Sequence, residues 1–251
     1  MKKNVSILLA FILIFISADY SQAQFEGKVV YNSYEIKSNG DKVNNDRFSM
    51  FVTSDRILLQ GDNSYDFMGN IKTEGVLIRL DFEDFVFLTG KDKALKISKT
   101  DITSLMNMFG GESQSNSGTD SGADIGYEQT GETKTINGYT CEKFIFYDED
   151  NENDHVEIWM TRDLSVSWGM LAEPWGNDIN DMISGNFPIS LIFEDGYFPL
   201  KVDAFDNGEL AMTTEAEEIN ESSVAKAMVQ IPTGVSVLNL QNYLFQKLSE
   251  Q

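Results

Sequence analysis

The chain is short of the residues on which most site chemistry depends. It has one cysteine, one histidine and four prolines in 251 residues, and 19 Lys+Arg against 40 Asp+Glu. A single cysteine excludes an intrachain disulfide. One imidazole and one thiol fall short of the donor set that a zinc site draws on. A formal net charge of −21 repels phosphate backbones and anionic headgroups, which argues against nucleic acid as a partner and against docking on acidic lipid. There is no Gly-x-Ser-x-Gly elbow and no Gly-rich phosphate loop, since Gly110-Gly111 runs into a Ser-rich stretch rather than a helix. The acidic run from Asp148 to Asp154 fails the calcium-loop template: Asn153 stands where that loop needs Gly, and Trp159 where it needs a bidentate Glu. Clustered carboxylates at Asp81, Glu83 and Asp84, or at Glu194 and Asp195, sit in turn-like settings. In so acidic a chain such clusters arise by chance. The sequence therefore predicts no catalytic residue, no metal and no cofactor, and a protein that is not an enzyme.

What is present begins with an export signal. Lys2 and Lys3 precede an apolar run from Val5 to Ile16, and a polar stretch closes on Ser21-Gln22-Ala23. That is the pattern of a secretory signal peptide, residues 1–23, cleaved after Ala23. The apolar run is shorter than the roughly 20 residues a membrane-spanning helix needs. No later run approaches that length, so the mature chain is expected to lack a membrane span and to be periplasmic or secreted. Residues 24–251 are read as one β-rich domain.

Short alternating segments dominate the mature chain. Phe48, Met50 and Val52 alternate with Arg47, Ser49 and Phe51, and Val156, Ile158 and Met160 alternate with His155, Glu157 and Trp159. Further strand-like runs are 27–36, 55–60, 75–80, 85–89, 94–98, 140–147, 189–193, 198–205 and 227–231. Asn39-Gly40, Gly61-Asp62, Asn137-Gly138, Asp195-Gly196 and Asn207-Gly208 punctuate them. Turns at such short intervals favour hairpins, hence a mostly antiparallel sheet. Helical spacing is confined to Lys99–Phe109, to 174–184, and to 237–248, where a final strand is the alternative. Residues 110–126 contain almost nothing apolar and read as a flexible Gly/Ser-rich loop.

Apolar side chains are in surplus. Leu105, Met106 and Phe109 on the first helix, with Phe144, Phe146 and Trp159 on the strands, are the residues expected to line a ligand cavity, should a curved sheet enclose one. An ordinary filled core is the alternative. Cys141 reads as a small buried hydrophobe.

The stretch Thr130-Gly-Glu-Thr-Lys-Thr-Ile-Asn-Gly-Tyr-Thr-Cys-Glu-Lys-Phe144, followed by Val156-Glu-Ile-Trp-Met-Thr-Arg-Asp163, resembles the core of exported bacterial proteins grouped as domain of unknown function 4412. The opening Phe25-Glu-Gly-Lys-Val-Val-Tyr31 and the closing Val229-Gln-Ile-Pro-Thr-Gly234 fit the same pattern. The resemblance implies the open half-barrel of the LolA/LolB lipoprotein carriers, a curved antiparallel sheet with helices on its concave side. It also implies an envelope protein that holds a lipid acyl chain or another apolar ligand. It supplies no catalytic residue. The competing expectation is an envelope interaction protein with a filled core and a protein partner.

Overall fold

The computed structural model describes residues 24–67, 71–102, 104, 127–147, 153–172 and 189–249. Their strands form one open sheet of 12 members in the order β12-β6-β5-β4-β3-β2-β1-β11-β10-β9-β8-β7. The strands are β1 (Gly27–Ile36), β2 (Lys42–Val52), β3 (Arg56–Phe67), β4 (Ile71–Arg79), β5 (Asp84–Leu88), β6 (Lys93–Ser98), β7 (Tyr127–Ile136), β8 (Tyr139–Tyr147), β9 (His155–Thr161), β10 (Phe198–Asp206), β11 (Glu209–Asn220) and β12 (Ser236–Asn239). Every pair is antiparallel except β12 with β6, which is parallel. This is the mainly β, mostly antiparallel sheet expected from the alternating pattern, with the curved and open form that the family resemblance implies. The turn chemistry holds at Asn39-Gly40, Asn137-Gly138 and Asn207-Gly208, whereas Gly61-Asp62, which reads as a turn, lies inside β3, where Gly61 pairs with Phe48. Asn137 and Asn207 take left-handed φ values of 51° and 52° ahead of Gly138 and Gly208, which gives the tight hairpins β7–β8 and β10–β11.

Register fixes what each face carries. One continuous row runs Val29–Met50–Leu59–Val76–Phe87–Leu95 across β1 to β6. On the other side of β1, the same face continues through Thr214 and Val202 to Ile158 and Phe144. Three helical pieces lie on this face. The short helix α1 (Ile189–Phe193) packs Leu191 and Ile192 onto Phe144, Phe146, Ile158 and Met160. A 3-10 turn at Gly169–Ala172 inserts Met170 among Val29, Met50 and Ile57. The C-terminal helix α2 (Leu240–Ser249) sets Leu240 and Tyr243 on Phe87, Leu95 and Ile97. The opposite face of β3–β6, with Leu58, Leu77, Val86 and Ala94, is covered by the strap that carries Val224, Val229, Ile231 and Val235.

Three further segments differ from the sequence expectation. Residues 189–193 read as a strand but form α1, because Ile189–Phe193 is an apolar run too short for its period to separate strand from helix. Residues 227–231 also read as a strand. They hold a 3-10 turn at Lys226–Val229 inside the strap, where only Val229 and Ile231 face the sheet. The ambiguous tail is both things, with the end of β12 over its first three residues and α2 over the rest. The helix expected over 99–109 starts at residues 99–102. Its remainder, the expected helix at 174–184, the loop 110–126 and the signal segment 1–23 lie outside the described residues.

Candidate ligand-binding groove

A groove of about 390 Å³ opens on the helix-covered face where β1 to β4 cross. Two irregularities in the sheet make room for it. Between β1 and β2 the pairing passes from Ser33↔Asp46 to Tyr34↔Asn44, leaving Asn45 as an extra residue. Between β3 and β4 it jumps from Gln60↔Gly75 to Tyr65↔Thr73, so residues 61–64 oppose Glu74 alone. Bulges of this kind splay strands and occur beside binding sites and sheet edges. Gly61 stands opposite Phe48 in the β2–β3 register and offers no side chain to cover that ring. Gly75 has Leu59 O within 2.9 Å of where a Cβ would sit, so the backbones approach too closely there for any larger residue.

The floor is Phe48, Leu59 and Val76, with Tyr31 stacked on Phe48 at 4.9 Å between ring centroids and 14° between planes. The Tyr31 hydroxyl donates to Pro199 O at 2.8 Å, and burial pushes its pKa far up, so it remains a neutral donor throughout the physiological range. Inward, the floor stops at the fully packed Met50 and Val52. Outward, the lining turns polar. Thr214 donates to Ser33 Oγ at 3.0 Å, and Asp46 accepts from Asn63 Nδ2 at 3.0 Å and from the Arg47 amide at 2.8 Å. Thr73 closes one wall with its hydroxyl bonded to Gly75 O at 2.7 Å. The site is thus an apolar trough with one closed end and one polar, hydroxyl- and carboxylate-bearing mouth. Its volume lies in the range of small-ligand sites.

Of the residues picked out from sequence, the described ones, Phe144, Phe146 and Trp159, lie outside the groove lining. Phe144 and Phe146 share the groove's face but lie beyond β11, buried under α1, where Phe144 meets Tyr197 edge-on at 4.9 Å. Trp159 pairs with Lys143 and Lys201 on the side of β9 that alternates with Ile158 and Met160, and Lys134 Nζ stands 3.8 Å over its ring. Leu105, Met106 and Phe109 lie outside the described residues. Phe48, Leu59 and Val76 were missed as lining because their alternation reads equally well as core. The available signal was glycine: Gly61 and Gly75 interrupt β-branched and aromatic strands at the two positions where the ladder opens. Cys141 is fully buried, and burial pushes its thiol up to about 11, the behaviour of a packed hydrophobe. His155 stacks on Phe205 at 4.3 Å and lies 3.9 Å from Glu157, a strand-end arrangement apart from the groove.

A family model described as Domain of unknown function (DUF4412) matches residues 91–235. No curated protein matches the chain in sequence. Among solved structures the chain is similar to PNGF-II, at 15% identity and a TM-score of 0.48 over 90% of this chain and 33% of that one. It is similar to a chain of the Pseudomonas aeruginosa MucA/MucB complex, at 9% identity and a TM-score of 0.41 over 87% and 60%. It is also similar to a LolA superfamily protein from Nitrosomonas europaea, at 10% identity and a TM-score of 0.27 over 88% and 97%. The chain spans a third of the length of the PNGF-II chain. Each of these is a similarity of chain path only.

Proposed function

The chain belongs to the Domain of unknown function (DUF4412) family, whose matched stretch takes in more than half of it, and from the groove we propose that it is an exported, non-enzymatic binding protein that holds the apolar chain of an amphiphile. The observation that carries this reading is the trough itself: a floor of Phe48, Leu59 and Val76, closed at one end by packed core and hydroxylated at the other. Export through residues 1–23, with cleavage after Ala23, places the mature chain in the envelope or outside the cell. No described helix is long and apolar enough to cross a membrane. Phe144 and Phe146 belong in this reading to the apolar wall under α1 rather than to the trough. Leu105, Met106 and Phe109 remain candidates for contact with the ligand.

The test is mass spectrometry of organic extracts from the natively purified mature chain, run beside a Leu59→Trp variant whose indole fills the trough. A stoichiometric acyl-bearing molecule in the parent that is absent from the variant supports the reading. Equal extracts from both refute it.

A second reading has its own observation. β7 ends the sheet, and its outer side has no strand partner among the described residues, which leaves a ten-residue edge for strand addition. A proline placed at Thr133 would then abolish capture of a protein partner while leaving lipid extracts unchanged.

A further inference from the structure

We propose that the groove takes a single tail of about ten carbons and that Met50 sets this limit. The inference rests on the groove being a ligand site and adds to it the class of amphiphile, one that is single-tailed and of medium length. A volume of about 390 Å³ holds about a dozen methylene-sized groups, at the ~30 Å³ that a water molecule takes in the liquid. Part of that space lies at the polar mouth beside Ser33 and Thr214, where a head belongs. The remainder gives one tail of about ten carbons its room and leaves none for a second.

Register places the end wall. Phe48 belongs to the lining, and Met50, two residues further along the same face of β2, is buried and pairs with Leu59 of the lining. One row further in, Val52 pairs with Ile57 and Ile57 with Ile78, and all three are packed. Met50 shares a cluster with them, and with Val29 and Met170. A tail that lies along Phe48 and Leu59 therefore meets Met50 first and the row of β-branched side chains after it. Valine and isoleucine are stiff at χ1, whereas methionine has three rotatable bonds and adapts its shape. The position of the stop is thus tuned at residue 50. Up to that point each methylene that leaves water tightens binding about fourfold. A longer tail has to push Met50 into filled core or leave its last carbons in water, and gains nothing more.

The experiment displaces a neutral fluorescent apolar probe from the mature chain with octyl, decyl, dodecyl and tetradecyl maltoside, each below its micelle concentration. One uncharged head is common to the series, so tail length alone varies. The parent, Met50→Ala, Met50→Val and Leu59→Trp are compared, and native mass spectrometry counts the maltosides bound. In the parent, affinity should rise about fifteenfold from octyl to decyl and by less than about threefold from decyl to dodecyl, with one maltoside per chain. Met50→Ala takes three heavy atoms from the end wall and should extend the steep rise to dodecyl, less whatever the site regains by collapse. Met50→Val loses less volume, folds where the alanine variant does not, and should raise the dodecyl-to-decyl ratio to about fourfold. Leu59→Trp should abolish displaceable probe binding. An affinity that climbs steadily to tetradecyl in the parent, or two maltosides per chain, overturns the length limit while the groove reading stands. A dodecyl-to-decyl ratio that Met50→Val leaves at the parent's value takes the limit away from Met50. Absence of probe binding in the parent, or unchanged binding in Leu59→Trp, overturns the groove reading itself.

Discussion

Asp84→Asn is the substitution whose cost can be worked most directly from the geometry. Asp84 opens β5 and receives both Arg79 Nε at 2.7 Å and Arg79 Nη2 at 2.5 Å. The side chains are only 14% and 5% exposed, and the Phe82 ring covers the guanidinium at 4.4 Å from its centroid. An exposed pair would contribute about 0–1 kcal/mol. Here the loss of one partner leaves a mostly desolvated guanidinium without its counter-charge, which costs about 3–5 kcal/mol in buried pairs. Arg79 retains some access to water, and the amide oxygen of Asn keeps one acceptor, so the lower figure applies, about 3 kcal/mol. In a urea titration with a slope of about 3 kcal/mol/M, the midpoint falls by about 1 M. The double variant Arg79→Met/Asp84→Leu removes both charges and should recover most of that loss, since apolar replacement of a buried pair is often neutral. A fall of less than about 0.3 M for Asp84→Asn would refute the reasoning, as would a double variant weaker than the single.

Three further outcomes follow from the same structure. Burial pushes the Cys141 thiol up to about 11 from its ordinary 9.0, so its contribution to stability is complete below pH 9 and is lost as pH rises towards 11. The urea midpoint should drop over that window in the parent and less in Cys141→Ser, and a thiol reagent at pH 8 should label the protein only as it unfolds. Asn137→Ala removes both a left-handed turn residue and the Nδ2 bond to Ala216 O at 2.6 Å, and should cost about 1–2 kcal/mol, read as a lower Tm. Leu59→Trp should lose ligand with a Tm close to the parent's, because the added indole enters open groove rather than packed core.

Much of the sheet was legible because its signals are local. The alternation at Phe48–Val52 and at Val156–Met160 marks strands, and Asn137-Gly138 and Asn207-Gly208 mark hairpins, each within a few residues of chain. What period 2 cannot say is which face closes over. Phe144 and Phe48 have the same alternation, yet α1 seals the first while Gly61 leaves the second open. That difference depends on register between strands and on what residues far away in sequence bring to the surface. The strap was misread for the same reason, since Val229 and Ile231 are apolar because they cover Leu58, Leu77 and Val86, not because they pair in a ladder. The groove arises where pairing fails, and a failed pairing leaves no pattern in one strand alone.

The strand order also bears on how the protein comes to be folded. Two stretches of antiparallel strands that neighbour one another in chain order, β1 to β6 and β7 to β11, are joined along the seam between β1 and β11. Residues that touch across that seam, such as Ser33 and Thr214, are 181 positions apart. The first half can assemble from local contacts, but its leading strand has no second neighbour until nearly the whole chain is available. A polypeptide threaded through a narrow translocation channel from its N-terminus would therefore emerge with β1 still a bare edge. On the export route proposed above, β1 would gain its second neighbour only after β11 had passed, and β6 its pairing with β12 later still, so the step most exposed to aggregation would fall on the far side of the membrane.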